Sequence, residues 1–84
     1  CTDVLEHIEP ECLQGVIDHI ASLSKRAAFL VVSTVKASKY LPDGRNAHLI
    51  IKPAWWWLRL FADHWRINLM REKSTEFYCI CVPK

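Results

Sequence analysis

Apolar positions along this chain fall into two kinds of spacing. Leu13, Val16, Ile17, Ile20 and Leu23 recur every three or four residues, the stripe of a helix that packs one side against a core. Pro10 and Glu11 suit the first turn of that helix. A proline loses no needed N–H there, and an acid faces the positive end of the dipole. The helix is expected to run to about Ser24, with Lys25 and Arg26 setting positive charge at its negative end. Gly15 weakens it by about 1 kcal/mol relative to alanine, which the apolar stripe outweighs.

Residues 27–33, AAFLVVS, form a continuous apolar run rich in branched side chains. Such runs mark strands covered on both faces, the usual state in parallel sheets. A second helix is expected from Pro53 to about His64, because Trp57, Leu60, Phe61 and Trp65 fall at i, i+3, i+4 and i+8. Three consecutive tryptophans point roughly 100° apart on a helix, so Trp57 is expected inward, Trp56 on the flank, and Trp55 toward solvent or a partner. Residues 67–73 and 76–82 read as strands joined at Ser74-Thr75, a β-hairpin. Its second strand, EFYCICV, belongs inside the sheet. Residues 34–51 are polar and turn-rich, with Pro42-Asp43-Gly44 the strongest turn signal. Loops of that length in a compact domain are usually functional.

The order is loop, helix, strand, long loop, helix, strand, strand. That is half of an α/β three-layer sandwich, in which the second helix makes a right-handed crossover from the first strand to the next. The expected fold is one partial domain over 1–84: one parallel strand, a crossover helix, a C-terminal antiparallel hairpin, and helices packed on the sheet. No repeat or low-complexity segment is present.

Composition narrows the picture. Of 84 residues, 51% are hydrophobic and 24% charged, enough for a core and contrary to disorder. So short a chain buries only roughly 60–65% of its unfolded surface, so its stability margin is thin. The net charge of +2 is mild, and Lys25, Arg26, Lys36 and Lys39 make no phosphate-tracking stripe, so no nucleic-acid surface is expected. No apolar run reaches the 18 or so residues of a membrane span, and Lys52 and Arg59 flank the tryptophans. Four cysteines invite a disulfide framework, but Cys79-x-Cys81 places two neighbours on one strand face, where bridging geometry is out of reach. Nor is a single C-x-C a zinc pattern. Reduced, buried thiols in a cytoplasmic protein are expected.

DVLEHI at 3–8, AAFLVVS at 27–33, NAHLIIKPAWWW at 46–57, and the pair RINLMREK and TEFYCICV together resemble the second half of class I S-adenosylmethionine (SAM)-dependent methyltransferases. In that family an acidic loop of the form D/E-x-x-E-H follows the fourth strand. A helix and the fifth strand come next, then another helix and a closing antiparallel hairpin. The resemblance covers essentially the whole chain. It implies a methyl transfer from SAM to an unidentified acceptor, with Asp3 on the cofactor side. The family grips SAM through a glycine-rich loop and an acidic residue ending the second strand. Gly15 and Gly44 lie in no such loop, so the chain alone is expected to be inactive and not to bind SAM usefully.

Some family members, among them ubiquinone-pathway enzymes and small-RNA terminal 2′-O-methyltransferases, bind a divalent metal through E-x-x-E-H and a histidine after the fifth strand. Residue by residue, the resemblance carries this to Asp3, Glu6 and His7, with His48 in the long loop. Carboxylates plus imidazole suit Mg²⁺ or Mn²⁺. Aspartate at position 3 is one methylene shorter than the family's glutamate. Two other readings stand beside this one. In one, Asp3 and Glu6 serve only the following helix N-terminus while His7 bonds a loop carbonyl; in the other, His7 or His48 acts as a general base. Tyr40 and Trp56 are candidates for an acceptor pocket, against the commoner roles of surface and core. His19 and His64 read as a solvated residue and a helix-end residue. A different class of function is an interaction module, with the edge of the 27–33 strand open to a second copy or an N-terminal half-domain.

Overall fold

The computed structural model describes residues 4–84. Single 3₁₀ turns at Leu5–His7 and Pro10–Cys12 lead into helix α1 (Leu13–Leu23). Strand β1 (Ala28–Ser33), helix α2 (Ala54–Ala62) and strands β2 (Trp65–Glu72) and β3 (Glu76–Pro83) follow. The protein is a small α/β domain with an open three-stranded sheet in the order β1-β3-β2. β3 takes the middle place that its apolar sequence favours, and pairs antiparallel with both neighbours.

The run 27–33 does form a strand, but its ladder partner in the described sheet is antiparallel rather than parallel. An apolar run specifies burial, not the direction of the strand beside it. β1 and β2 both oppose β3, so they point the same way, with β3 between them and α2 in the connection. Nor are both faces of β1 covered. Ala28, Leu30 and Val32 are buried opposite Cys81, Cys79 and Phe77. Phe29, Val31, Tyr78 and Ile80 alternate onto the other face and stay partly open, Phe29 at 48% exposure.

Both helices share one core with the covered face. Trp57, Phe61, Trp65 and Phe77 are essentially inaccessible, and Phe61 lies at their centre, with ring centroids 6.0–6.4 Å from the other three. Aromatic pairs at this spacing contribute about 0.5–1.5 kcal/mol beyond the area they bury. The tryptophan run divides as helix geometry requires: Trp57 is buried, Trp56 half-buried, and Trp55 58% exposed. Trp65, placed on the α2 stripe by spacing, is instead the first residue of β2, because the helix ends at Ala62.

One expectation for α1 needs correction. Leu23 is 67% exposed. It lies six residues beyond the buried Ile17, roughly 600° around the helix, which turns it about 120° off the core-facing line. Lys25 and Arg26 lie past the helix end, and the last turn is closed by Ser24, whose N–H and Oγ both donate to the Ile20 carbonyl.

The long loop is tied rather than loose. Tyr40 and Asn46 form an isolated antiparallel bridge. Between them Leu41 and Arg45 are joined by a backbone bond of 2.7 Å, and Gly44 takes φ 91°, a region side chains disfavour. Cys12, Cys79 and Cys81 are free thiols. No helix of the described residues is long and apolar enough to cross a membrane.

Candidate metal centre

The Leu5–His7 turn sends three successive side chains in different directions, about 120° apart. Leu5 enters the core, Glu6 is fully buried, and His7 reaches the surface. Opposite this turn lies the end of the long loop, drawn in by three links. The Ile50 N–H donates to the Glu6 carbonyl at 3.1 Å. The Ala47 carbonyl accepts from His7 Nδ1 at 2.8 Å. Arg45 spans both oxygens of Glu9 at 2.8 and 2.9 Å.

Asn46 holds His48 from the other side. Its Oδ1 accepts from the N–H groups of Ala37 and His48, both at 2.9 Å, while Nδ2 donates to the Ala37 carbonyl at 3.0 Å. One side chain thus staples the two arms of the loop and sets the backbone at His48. The outcome is that His7 and His48 meet edge to face, with ring centroids 4.7 Å apart.

The donor atoms of Glu6, His7 and His48 all lie within 4.8 Å of one another. Three ligands sharing one ion at 2.0–2.2 Å sit roughly 3–3.6 Å apart. Side-chain movement on the order of 1 Å therefore closes the set. Tautomers favour it as well. Each histidine has Nδ1 on a carbonyl oxygen, Ala47 for His7 and Val35 for His48 at 2.6 Å. A carbonyl only accepts, so Nδ1 carries the proton and Nε2 keeps its lone pair.

Glu6 carries the strongest signal. Its carboxylate is wholly buried, and neither oxygen has a hydrogen-bond partner among the described residues. A charged carboxylate buried without donors is costly, and either a proton or a cation relieves that cost. Glu6 does not serve the N-terminus of α1, one of the roles open to it from sequence; His7 does bond a loop carbonyl, which is compatible with either role. Asp3, expected to contribute to both metal and cofactor sites, lies outside the described residues.

Beside the cluster runs a groove of about 420 Å³ lined by Pro10, Leu13, Leu49, Ile51, Lys52 and Trp56. Pro10, Leu49 and Ile51 also line an adjoining hollow that includes His48. Tyr40 is 64% exposed and lines neither hollow, because its bridge to Asn46 turns it away. Leu13, Lys52, Asn46 and the Arg45–Glu9 pair escaped sequence reading. No short-range pattern links residues that the loop closure alone brings together.

Compared with models of known protein families, with curated proteins and with solved structures, the chain matches none.

Proposed function

We propose that this chain forms the second half of a SAM-dependent methyltransferase domain, and that Glu6, His7 and His48 hold a divalent cation at its acceptor site. The observation that carries the reading is the buried Glu6 carboxylate, without a partner among the described residues, with two histidines gathered around it from positions 41 residues apart in sequence. The helix–strand–helix–hairpin order, with β3 inserted between β1 and β2, supports the methyltransferase part of the proposal. In this reading residues outside these 84 supply the grip on SAM.

Two imidazoles and one carboxylate favour a borderline ion such as Mn²⁺ over Mg²⁺. When bound, such an ion supplies a Lewis acid that lowers the pKa of an acceptor hydroxyl. Glu6 neutralises part of the cation's charge from the buried side. His7 and His48 would be held in orientation by the Ala47 and Val35 carbonyls, which their Nδ1 atoms contact. Asn46 fixes the backbone from which His48 projects.

The test is a titration of isotope-labelled chain with Mn²⁺. Broadening confined to Glu6, His7, His48 and their neighbours, reversed by EDTA and abolished by His48→Ala, is the expected result. Unchanged resonances in the wild-type chain would remove the metal site. Calorimetry with SAM should show no heat from the chain alone; micromolar binding would overturn the assignment to a half-domain.

A second reading rests on the open face of the sheet, where Phe29, Val31, Tyr78 and Ile80 are only partly covered. As an interaction module, the chain would associate through this face or the edge of β1. A monomer at millimolar concentration in sedimentation would count against that reading.

A further inference from the structure

The groove beside the metal cluster has a chemical bias that the proposed methyl transfer does not use. Its walls are apolar, from Leu13, Leu49 and Ile51, and Trp56 also lines it. The Trp56 indole is braced by an edge contact with the buried Trp57, ring centroids 5.1 Å apart and planes at 84°. It is therefore a fixed aromatic surface rather than a swinging one. Lys52 Nζ stands 5.8 Å from the Trp56 ring centroid.

Charge on the groove and the adjoining hollow is of one sign. Among the residues lining the two hollows, Lys52 and Arg45 are basic and none is acidic. Arg45 is already satisfied by Glu9 and Asp43, whereas Lys52 forms no ion pair among the described residues. α2 begins just beyond Lys52 with no side-chain cap, so the positive end of its dipole adds to the same field. A neutral or cationic guest would leave that potential unanswered. A volume of about 420 Å³ lies within the range of small-molecule sites and has room for one or two fused rings.

We propose that this groove seats an acceptor with a planar aromatic body and an anionic group, the ring against Trp56 and the anion at Lys52. The inference rests on the acceptor-site reading above, because the adjoining hollow, which shares Pro10, Leu49 and Ile51 with the groove, is lined by His48 of the metal cluster. The flexible stem of Lys52 allows its ammonium to leave the ring and meet the arriving anion, while the apolar walls desolvate the body.

The probes are 2-naphthoate and its uncharged analogue 2-naphthamide, titrated into the intact chain in EDTA and followed residue by residue by NMR. Shifts should centre on Leu49, Ile51, Lys52 and the Trp56 indole N–H. Naphthoate should bind about fivefold more tightly than the amide, the worth of one water-facing charge contact. Lys52→Met should erase that preference while leaving amide binding intact, and Trp56→Leu should weaken both probes alike. Equal affinity of the two probes for the wild-type chain, no binding of either, or shifts centred on Phe29 and Tyr78 would each overturn the proposal. Mn²⁺ titration of the same samples separates the two readings. Lys52→Met should keep Mn²⁺ broadening at His48, and His48→Ala should keep the naphthoate preference. Loss of the metal response with a retained naphthoate preference would sink the metal site and leave the groove standing.

Discussion

Arg45 and Glu9, 36 residues apart, meet as a two-point ion pair, with guanidinium nitrogens 2.8 and 2.9 Å from the two carboxylate oxygens. The same guanidinium reaches Asp43 through Nε at 2.7 Å. This fork ties the tip of the long loop to the segment just after His7, so it helps determine how closely His48 approaches.

Acid should loosen that tie. Glu9 is held below its ordinary value chiefly by the hydrogen bond from the Arg45 side chain, and Asp43 chiefly by the Arg45 backbone N–H and then its side chain. Both folded-state values are depressed. Their stabilisation is therefore fully present above the ordinary values of 4.5 and 3.8, and is lost as pH falls below these through the lowered ones. The amides of Arg45 and Ala47 should shift together in that acid range and stay constant from pH 5 to 8. Because the pair is exposed, 0.5 M salt should weaken it as well. A transition centred above pH 5 would show that another group controls the loop.

Removing the Glu6 carboxylate should have opposite effects on stability and on metal response. Glu6→Met replaces a buried carboxylate that has no partner among the described residues with an apolar side chain of similar size, so the metal-free variant should be more stable than wild type by about 1–3 kcal/mol. Saturating Mn²⁺, at a hundred times its dissociation constant, should stabilise wild type by about 2.7 kcal/mol and the variant not at all. Thermal melts with and without Mn²⁺ measure both; a variant that melts earlier than wild type without metal would mean that Glu6 has a stabilising role not accounted for.

The adjacent tryptophans should behave very differently. Trp57→Ala opens a cavity beside Trp56 and Phe61 and should cost about 3–5 kcal/mol, much of the margin available to a domain this small. Trp55→Ala, at a position 58% exposed, should change stability by no more than about 0.5 kcal/mol. Urea denaturation of the two variants decides this, and comparable losses would refute the burial order.

Thiol chemistry should separate the cysteines. Cys12 is exposed, whereas Cys79 and Cys81 are buried with their sulfurs 3.7 Å apart. The Cys79 thiol is pushed far up by its hydrogen bond to Cys81 and then by burial, so it stays protonated and unreactive. Iodoacetamide at pH 8 should label Cys12 within minutes, and Cys79 only after denaturant is added. Mass mapping of the labelled peptides checks it. Labelling of Cys79 at the Cys12 rate would mean that the sheet opens in the native state.

Gly44 is a sharper local test. Its φ of 91° leaves a substituted side chain strained although nothing lies within 4 Å of a Cβ there. Gly44→Ala should therefore destabilise by about 1 kcal/mol or more, whereas Gly15→Ala in open helical surface should stabilise by up to about 1 kcal/mol. Melting curves of the pair should shift in opposite directions.

Sequence alone determined the elements, because a helix repeats every 3.6 residues and a strand every two, and those periods are written locally. The Leu13–Ile17 stripe, the inward Trp57 and outward Trp55, the Ser74-Thr75 turn and the central place of EFYCICV all follow from neighbours a few positions apart. Tertiary structure decided the rest. It set the direction of β1 against β3, left Leu23 in solvent, and made Trp65 a strand residue. It also buried the Glu6 carboxylate away from any donor among the described residues, brought His48 against His7, and set Lys52 over Trp56. These depend on how the 34–53 loop closes onto the Leu5–His7 turn. The bonds that close it, from Asn46, Arg45 and Ile50, join residues with no periodic relation to their partners, so only the folded chain brings them together.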